Sequence, residues 1–324
     1  MPKNNFDINN IRVIQAPLAG ISDIIFRGQI RKYSTSVLMT TEMISSEMLC
    51  NNPNPSIIKF EEFEYPLAFQ LVGHKVDKMV RAAKILAPFA TMIDINCGCP
   101  VKKVVVSGDG SAMMKTPELA CEILAAIKDA TNLPVSAKFR LGWSKDNENY
   151  IEFARMLESA GADFVTLHAR TRADMYQGSA DWNKIKELVK EINIPVFANG
   201  DIKTLDDAKK CLELTHAHGV SIGRGIMGDF TLPYRIEKYI NEGIIIPEPT
   251  LEEKIEMLKV HLHLEVEKMG EINGVKFMRK FYNYYISSIK NASKYRCALV
   301  VLEHEKEINK ILDEILLIHS KNCI

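Results

Sequence analysis

Eight short, apolar, β-rich runs, each followed by a stretch with helical periodicity, dominate this chain up to Ile222. They occupy residues 11–16, 37–40, 67–71, 92–96, 135–139, 164–168, 196–199 and 219–222. Strict alternation of strand and helix makes successive strands parallel, because each helix carries the chain back across the sheet before the next strand begins. Several runs, such as Phe164-Val165-Thr166-Leu167, are almost wholly apolar, which suits strands covered on both faces. Helix starts are marked by Ser22-Asp23 before 24–31, Thr116-Pro117-Glu118 before 119–130 and Thr204 before 205–214. Eight such units predict an α/β fold of the closed (β/α)₈, or TIM-barrel, type. The rival doubly wound sheet would carry a Gly-x-Gly-x-x-Gly after its first strand, and none follows here.

The strand pattern stops after Tyr239, and Ile246-Pro247-Glu248-Pro249-Thr250 reads as a short stiff linker ending in a helix cap. From Leu251 onward the apolar spacing is helical, with Ile255, Leu258, Leu262 and Val266 on one stripe and Ile308, Ile311, Leu312, Ile315 and Leu316 on another. The expected organisation is a barrel over 1–246 as the catalytic domain, followed by a small all-α helical bundle over 247–324.

Composition excludes some classes. With 47% hydrophobic and 25% charged residues the chain can build an ordinary globular core. Residues 1–10 contain no signal-like apolar stretch and no run approaches the ~18 apolar residues of a membrane span, so a cytoplasmic protein without membrane contact is expected. Seven cysteines without a disulfide-like framework, two of them in Cys97-Gly98-Cys99, fit reduced thiols and no metal site. Because 41 basic residues balance 41 acidic ones, any nucleic-acid contact must come from a local patch.

In barrel enzymes the chemistry sits at the C-terminal strand ends. Here those ends carry Pro17-Leu18-Ala19-Gly20, Gln70, Asn96-Cys97-Gly98-Cys99-Pro100, Lys138 with Arg140, His168 with Arg170, Asn199-Gly200-Asp201 and Gly223-Arg224-Gly225. The last two strings read either as plain turns or as a phosphate site after strands seven and eight, with backbone amides and the Arg224 fork as donors. Lys138 lies in an apolar strand, where an ammonium wants an anionic partner unless it snorkels out. A reduced flavin is such a partner, and Gln70 is placed to hydrogen-bond the same ring. Cys99 sits on a glycine-relieved turn, where a thiol serves as nucleophile or general acid. Cys97 points the opposite way, and Cys50, Cys121, Cys211, Cys297 and Cys323 are expected as small buried hydrophobes.

Taken together, these strings resemble the tRNA-dihydrouridine synthases, in particular the bacterial branch close to the nitrogen-regulation-associated type. The resemblance rests on Ala16-Pro17-Leu18-Ala19-Gly20-Ile21-Ser22-Asp23 with Phe26-Arg27, on Asp94-Ile95-Asn96-Cys97-Gly98-Cys99-Pro100 with Lys102-Lys103, and on Lys138-Phe139-Arg140. His168-Ala169-Arg170-Thr171-Arg172, Asn199-Gly200-Asp201 and Gly223-Arg224 follow in the family's order. It implies FMN held by Pro17, Leu18, Ala19, Gln70, Lys138, His168, Asn199, Gly200, Asp201, Gly223 and Arg224, with NADPH as reductant. Cys99 is then the catalytic acid, Asn96, Arg140 and Arg170 meet the substrate, and tRNA is the partner, with no protein partner implied.

Within the tail, 271–300 carries Lys276, Arg279, Lys280, Lys290, Lys294 and Arg296 against Glu271 alone, interleaved with Phe277, Phe281, Tyr282, Tyr284, Tyr285 and Tyr295. Such interleaving suits RNA, through phosphate contact and base stacking, and equally a bundle core with solvated lysines. Arg279-Lys280 resembles a family motif whose next histidine is Phe281 here. The loop after Pro100 lacks the basic residues often found there in the family. Two other classes share some of these features. A flavin barrel acting on a free pyrimidine would need no basic tail, and an RNA-binding module without catalysis would need neither Cys99 nor Lys138.

Overall fold

The computed structural model describes residues 6–53 and 58–320. Its strands are β1 (Val13–Gln15), β2 (Met39–Thr40), β3 (Ile44–Ser45), β4 (Leu67–Val72), β5 (Met92–Cys97), β6 (Val135–Arg140), β7 (Gly142–Ser144), β8 (Asn147–Glu148), β9 (Phe164–His168), β10 (Val196–Asn199) and β11 (Gly219–Ile222). The main sheet runs β1-β11-β10-β9-β6-β5-β4-β2, every pair parallel. A parallel bridge from Ile14 to Leu38 joins the two ends of that order, with Gln15 N donating to Leu38 O at 2.9 Å and Leu38 N to Val13 O at 3.1 Å. The eight expected strands therefore close into a barrel, and there is no open doubly wound sheet among the described residues. The short β3, which adds to β4, and the β7–β8 hairpin were not expected, since strands of two or three residues show no period.

Around the cylinder lie α1 (Ile24–Arg31), α2 (Ser46–Asn51), α3 (Val76–Leu86), α4 (Lys102–Val106), α5 (Pro117–Thr131), α6 (Tyr150–Ser159), α7 (Trp182–Val189), α8 (Leu205–Thr215) and α9 (Leu232–Glu242). Two of the three expected starts carry a side-chain cap: Asp23 Oδ1 accepts from Phe26 N at 2.9 Å, and Thr204 with Asp207 forms a capping box, whereas Thr116 makes no side-chain cap bond and α5 opens on Pro117.

Side-chain alternation explains how one strand serves both the core and the site. On β5, Ile93, Ile95 and Cys97 join the outer core, as do Val135, Ala137 and Phe139 on β6 and Val165 and Leu167 on β9. Met92, Phe164, Phe197, Ala68, Ile14 and Leu38 form a separate apolar plug low in the barrel. Above that plug the same inward parity turns polar, through Asp94, Ser136 and Thr166 to Asn96, Lys138 and His168. The outer layer supplies burial worth about 1.5–3 kcal/mol per large side chain, so truncating Phe139 should cost about 3–5 kcal/mol.

After α9 the chain is helical: α10 (Leu251–Met269), α11 (Glu271–Met278), α12 (Tyr282–Ile286), α13 (Ala292–Leu299) and α14 (Glu305–Ser320). This tail docks on α1 through an aromatic seam. Phe26 meets Phe230 at 5.2 Å, Phe230 meets His261 at 5.4 Å, and His261 meets Phe281 at 4.7 Å between ring centroids. Phe281, Tyr282 and Tyr285 are buried in that seam and in the tail core, so the core reading describes these three aromatics.

Candidate active site

The polar strand ends open into a cavity of about 420 Å³ at the C-terminal mouth, a size in the range of about 300–1,000 Å³ usual for small-molecule sites. Lys138 forms one wall of it. Its Nζ donates to Asn199 Oδ1 at 2.8 Å, and Asn199 Nδ2 in turn donates to Ser221 O at 2.6 Å. No carboxylate pairs with this ammonium among the described residues. Burial, reinforced by the Arg140 charge, pulls it down to about 7, against the weaker pull of Asp94. Asp94 lies beneath, its carboxyl raised by burial although Ser136 Oγ and Gln70 Nε2 each donate to it at 2.6 Å.

Cys99 is fixed through its backbone on both sides. Asn96 Oδ1 accepts from Gly98 N at 3.2 Å and from Cys99 N at 2.9 Å, the local turn that an Asn two or three residues earlier can nucleate. Ser111 donates to Cys99 O twice, from N and from Oγ, both at 3.0 Å. Gly110, at φ +60°, presses against the same carbonyl, and a Cβ there would meet Cys99 O at 2.7 Å. The thiol lines the cavity, and burial raises it from its ordinary 9.0 despite the nearby Arg140 and Lys138 charges. At neutral pH it is therefore a protonated thiol, able to act as a proton donor.

Two arginines organise the loop after β9. Arg140 joins the cysteine loop to it, with Nε donating to Gly98 O at 2.8 Å and Nη1 to Thr171 O at 2.8 Å and Met175 O at 2.7 Å. Arg170 donates to Gln177 O, to Gly178 O and, through Nη2, to both Asp201 oxygens at 2.9 and 2.7 Å. Partial burial works against the Asp201 carboxylate, but the Arg170 fork and the Ala180 amide outweigh it and hold it below its usual value. This scaffold presents Tyr176, 49% exposed, at the rim, with its ring 5.4 Å from the Arg140 guanidinium and 5.3 Å from that of Arg224. His168 is held neutral by burial first and then by the surrounding Lys138, Arg140, Arg170 and Arg224 charges. Its Nε2 lies 3.3 Å from Arg170 Nη1, an obligate donor, so Nε2 accepts and the ring proton belongs on Nδ1.

A model of the dihydrouridine synthase (Dus) family matches residues 14–320. The chain belongs to the dihydrouridine synthase family. It is 36% identical over 305 residues to a probable tRNA-dihydrouridine synthase 1 of Synechocystis sp., covering 94% of this chain and 86% of that one. It is also 36% identical over 298 residues to a tRNA-dihydrouridine synthase B of Pseudomonas putida, covering 91% and 88%. Among solved structures, histamine dehydrogenase from Rhizobium sp. 4-9 shares the fold, with a TM-score of 0.56 at 12% identity over 81% of this chain and 49% of that one.

In this dihydrouridine synthase the cavity gathers Pro17, Leu18, Ala19, Gln70, Cys99, Lys138, Arg140, His168, Arg170, Asn199, Gly200, Asp201, Gly223 and Arg224 on one lining. Asn96 is not on it. Its Nδ2 donates to Gln70 Oε1 at 2.7 Å and its Oδ1 holds the cysteine turn, so its amide is committed behind the loop. The tail residues are apart as well: Arg279 Nη2 donates to Leu302 O at 3.1 Å, and Lys280 reaches Gly20 O. Among the other thiols, Cys97, Cys50 and Cys211 are buried and Cys121 is half-buried, whereas Cys297 on α13 is exposed, contrary to expectation. Cys323 lies outside the described residues. Sequence reading missed Tyr176, Met43 and Ser221 on the lining. Ser221 alone carried a signal, the inward parity of β11.

No helix among the described residues is long and apolar enough to cross a membrane, and no group of three or more His, Cys, Asp or Glu among them is arranged to hold a metal ion.

Proposed function

We propose that this chain is an FMN-dependent tRNA-dihydrouridine synthase that uses NADPH to reduce the carbon 5–carbon 6 double bond of specific uridines in tRNA, with Cys99 as the proton donor. One observation carries the reading: an ammonium without an anionic partner, Lys138, and a protonated thiol, Cys99, line the same cavity in a member of this family. The residues present fit a flavin mononucleotide. Lys138 lacks an anion, Ser221 Oγ is buried without a hydrogen-bond partner, and Gly200 and Gly223 leave backbone open to the cavity. In this reading Pro17, Leu18, Ala19 and Gln70 hold the ring, Lys138, His168 and Asn199 surround its polar edge, and Gly200, Gly223 and Arg224 receive the phosphate. Asp201 contributes by fixing Arg170.

The chemistry such a group supplies when bound is hydride transfer, from NADPH and then to carbon 6 of a uracil ring. The protein's part is to hold the base and complete the reduction. Hydride addition to an enone-like ring leaves negative charge on the carbonyl side and a carbon 5 that must gain a proton. Cys99 delivers that proton from its Sγ, and solvent reprotonates the thiolate. Arg140 Nη2, without a hydrogen-bond partner among the described residues, is available to a base carbonyl where that charge develops. A stacked uridine cannot reach this depth, so the target base must leave its helix. Residues 1–246 would then be the catalytic unit and 247–324 the unit that holds RNA, and a tRNA substrate makes the cytoplasm the site of action.

The test is purification and assay. The protein is expected to be yellow or to take up FMN, to bleach with NADPH, and to form dihydrouridine in unmodified tRNA. A protein that takes up no FMN would remove the reading.

A further inference from the structure

The sequence puts Lys280 with the RNA-facing cations of the tail, but its surroundings do not suit a phosphate. Its Nζ donates to Gly20 O across the barrel–tail seam and lies 3.4 Å from the centroid of the Phe277 ring. The charges facing it are the carboxyls of Asp23, Glu265 and Glu42, with Lys268 the one nearby cation. Burial and the Asp23 carboxyl push Glu265 up towards its protonated form, so Asp23 and Glu42 balance the two ammoniums and no net positive charge is left to attract a phosphate.

Gly20 belongs to the loop between β1 and α1. That loop lines the cavity through Pro17, Leu18, Ala19 and Ile21. Both polar atoms of Gly20 are taken by side chains from elsewhere: its N–H donates to Glu42 Oε1, beside the lining residue Met43, and its carbonyl accepts from Lys280. A few residues on, Lys268 of α10 reaches Asp23, the cap of α1. The tail thus grips the cavity's wall loop at two points, and at the first of them Lys280 and Glu42 hold one peptide unit from opposite sides.

We propose that Lys280 is a positioning residue of the nucleotide-binding loop, fixing Gly20 against Glu42 so that the Pro17–Ala19 wall is set for the cofactor, and that through it the tail's attachment is transmitted to the pocket. The cofactor half of this inference rests on the FMN reading above; the strap itself does not. Without Lys280 the loop keeps its own Leu18–Ser22 turn, with Ser22 Oγ accepting from Leu18 N at 2.9 Å, and the Arg27 Nη1 bond to Ser22 O at 2.6 Å, but the Gly20 peptide between them is freed to sample conformations that do not bind, and affinity falls with the competent fraction.

The experiment compares Lys280→Met, Lys280→Arg and Glu42→Ala with the parent chain, full length, in three measurements. Hydrogen exchange of residues 17–23 in the FMN-free protein reports the strap directly. Fluorescence titration with FMN reports the pocket, and KM for tRNA at saturating FMN reports RNA contact. Expected for Lys280→Met and Glu42→Ala are roughly tenfold faster exchange in 17–23 and a roughly tenfold higher Kd for FMN, equivalent to about 1.4 kcal/mol. Lys280→Arg should restore both, and KM for tRNA should be unchanged in all three. Parent-like exchange and FMN affinity in Lys280→Met, with a raised KM for tRNA, would overturn the inference and return Lys280 to the RNA surface. A lowered Tm with parent-like exchange and affinity would overturn it too, as an ordinary packing contact. If the parent chain takes up no FMN while Lys280→Met still speeds exchange in 17–23, the strap stands and the FMN reading fails.

Discussion

Charged residues at the barrel mouth and in the helical tail are used in opposite ways. At the mouth, Lys138 has one neutral partner and Arg140 keeps Nη2 unpartnered, both beside open cavity. In the tail, Lys276 pairs with Glu303 at 3.4 Å, Arg279 holds the Leu302 carbonyl and Arg296 contacts Asn283. Lys290 and Lys294 are exposed and make no ion pair among the described residues. A cation left without an anion in a buried position is costly, and the mouth maintains that cost only where a ligand can relieve it. The tail's cations, by contrast, are mostly exposed, and they divide between those that hold a partner on the tail or barrel and the unpaired Lys290 and Lys294.

The sharpest way to break this comparison is at Lys138. Lys138→Met should slow flavin reduction by NADPH by roughly 10²–10³-fold, the effect of removing one preorganised electrostatic partner. Because burial pulls the Lys138 ammonium down to about 7, it should be charged below that pH and neutral above it in the parent protein. The Kd for FMN should therefore rise as pH increases through that value, and Lys138→Met should show a flat profile. A pH-independent parent would mean that the ammonium does not face the cofactor.

A smaller effect separates the two kinds of tail cation. Lys290→Glu with Lys294→Glu should weaken tRNA binding by roughly tenfold and lower the salt slope by about 1–2, leaving FMN affinity alone. Arg279→Met should instead lower Tm with little change in tRNA affinity. Reversal of the two outcomes would restore Arg279 to the RNA surface.

The smallest expected effect lies in the seam. Burial and the neighbouring Asp23 carboxyl push Glu265 up to about 8, with Lys268 pulling the other way, while His261 Nε2 lies 3.9 Å from its Oε1. The folded state then holds a proton that the unfolded chain releases near 4.5, so this contribution to stability is present below that pH and is lost as pH rises towards about 8. Glu265→Gln should therefore flatten the fall in Tm across the window from 4.5 to about 8, measured by thermal unfolding at a series of pH values. An unaltered slope would mean that Glu265 is ionised in the folded protein.

The same contrast explains what could be read from the sequence. Strand ends are legible because alternation and position leave few choices: Lys138 and Arg140 share inward parity with Ser136, and Gly98-Cys99-Pro100, directly after the strand, marks a turn at the mouth. Tyr176 was not legible, since it owes its place to Arg140 and Arg170 gripping a loop by its carbonyls, which no local pattern records. Nor were β3 and the β7–β8 hairpin, which are shorter than any period. Asn96 lies at the strand end where it was expected, but its bonds to Gln70 and to the Cys99 amide were not legible, because an asparagine beside a turn serves backbone and ligand with equal ease. In the tail the helices α11 to α13 are short, so composition showed cations and aromatics but not which of them the core would take.

The central claim, a thiol donating a proton across a cavity built for a hydride carrier, is tested most directly by separating the two half-reactions in Cys99→Ala. The account predicts that NADPH bleaches the flavin of this variant at the parental rate, whereas reoxidation by unmodified tRNA slows by roughly 10²–10⁴-fold. Equal slowing of both half-reactions, or parental reoxidation by tRNA, would contradict it.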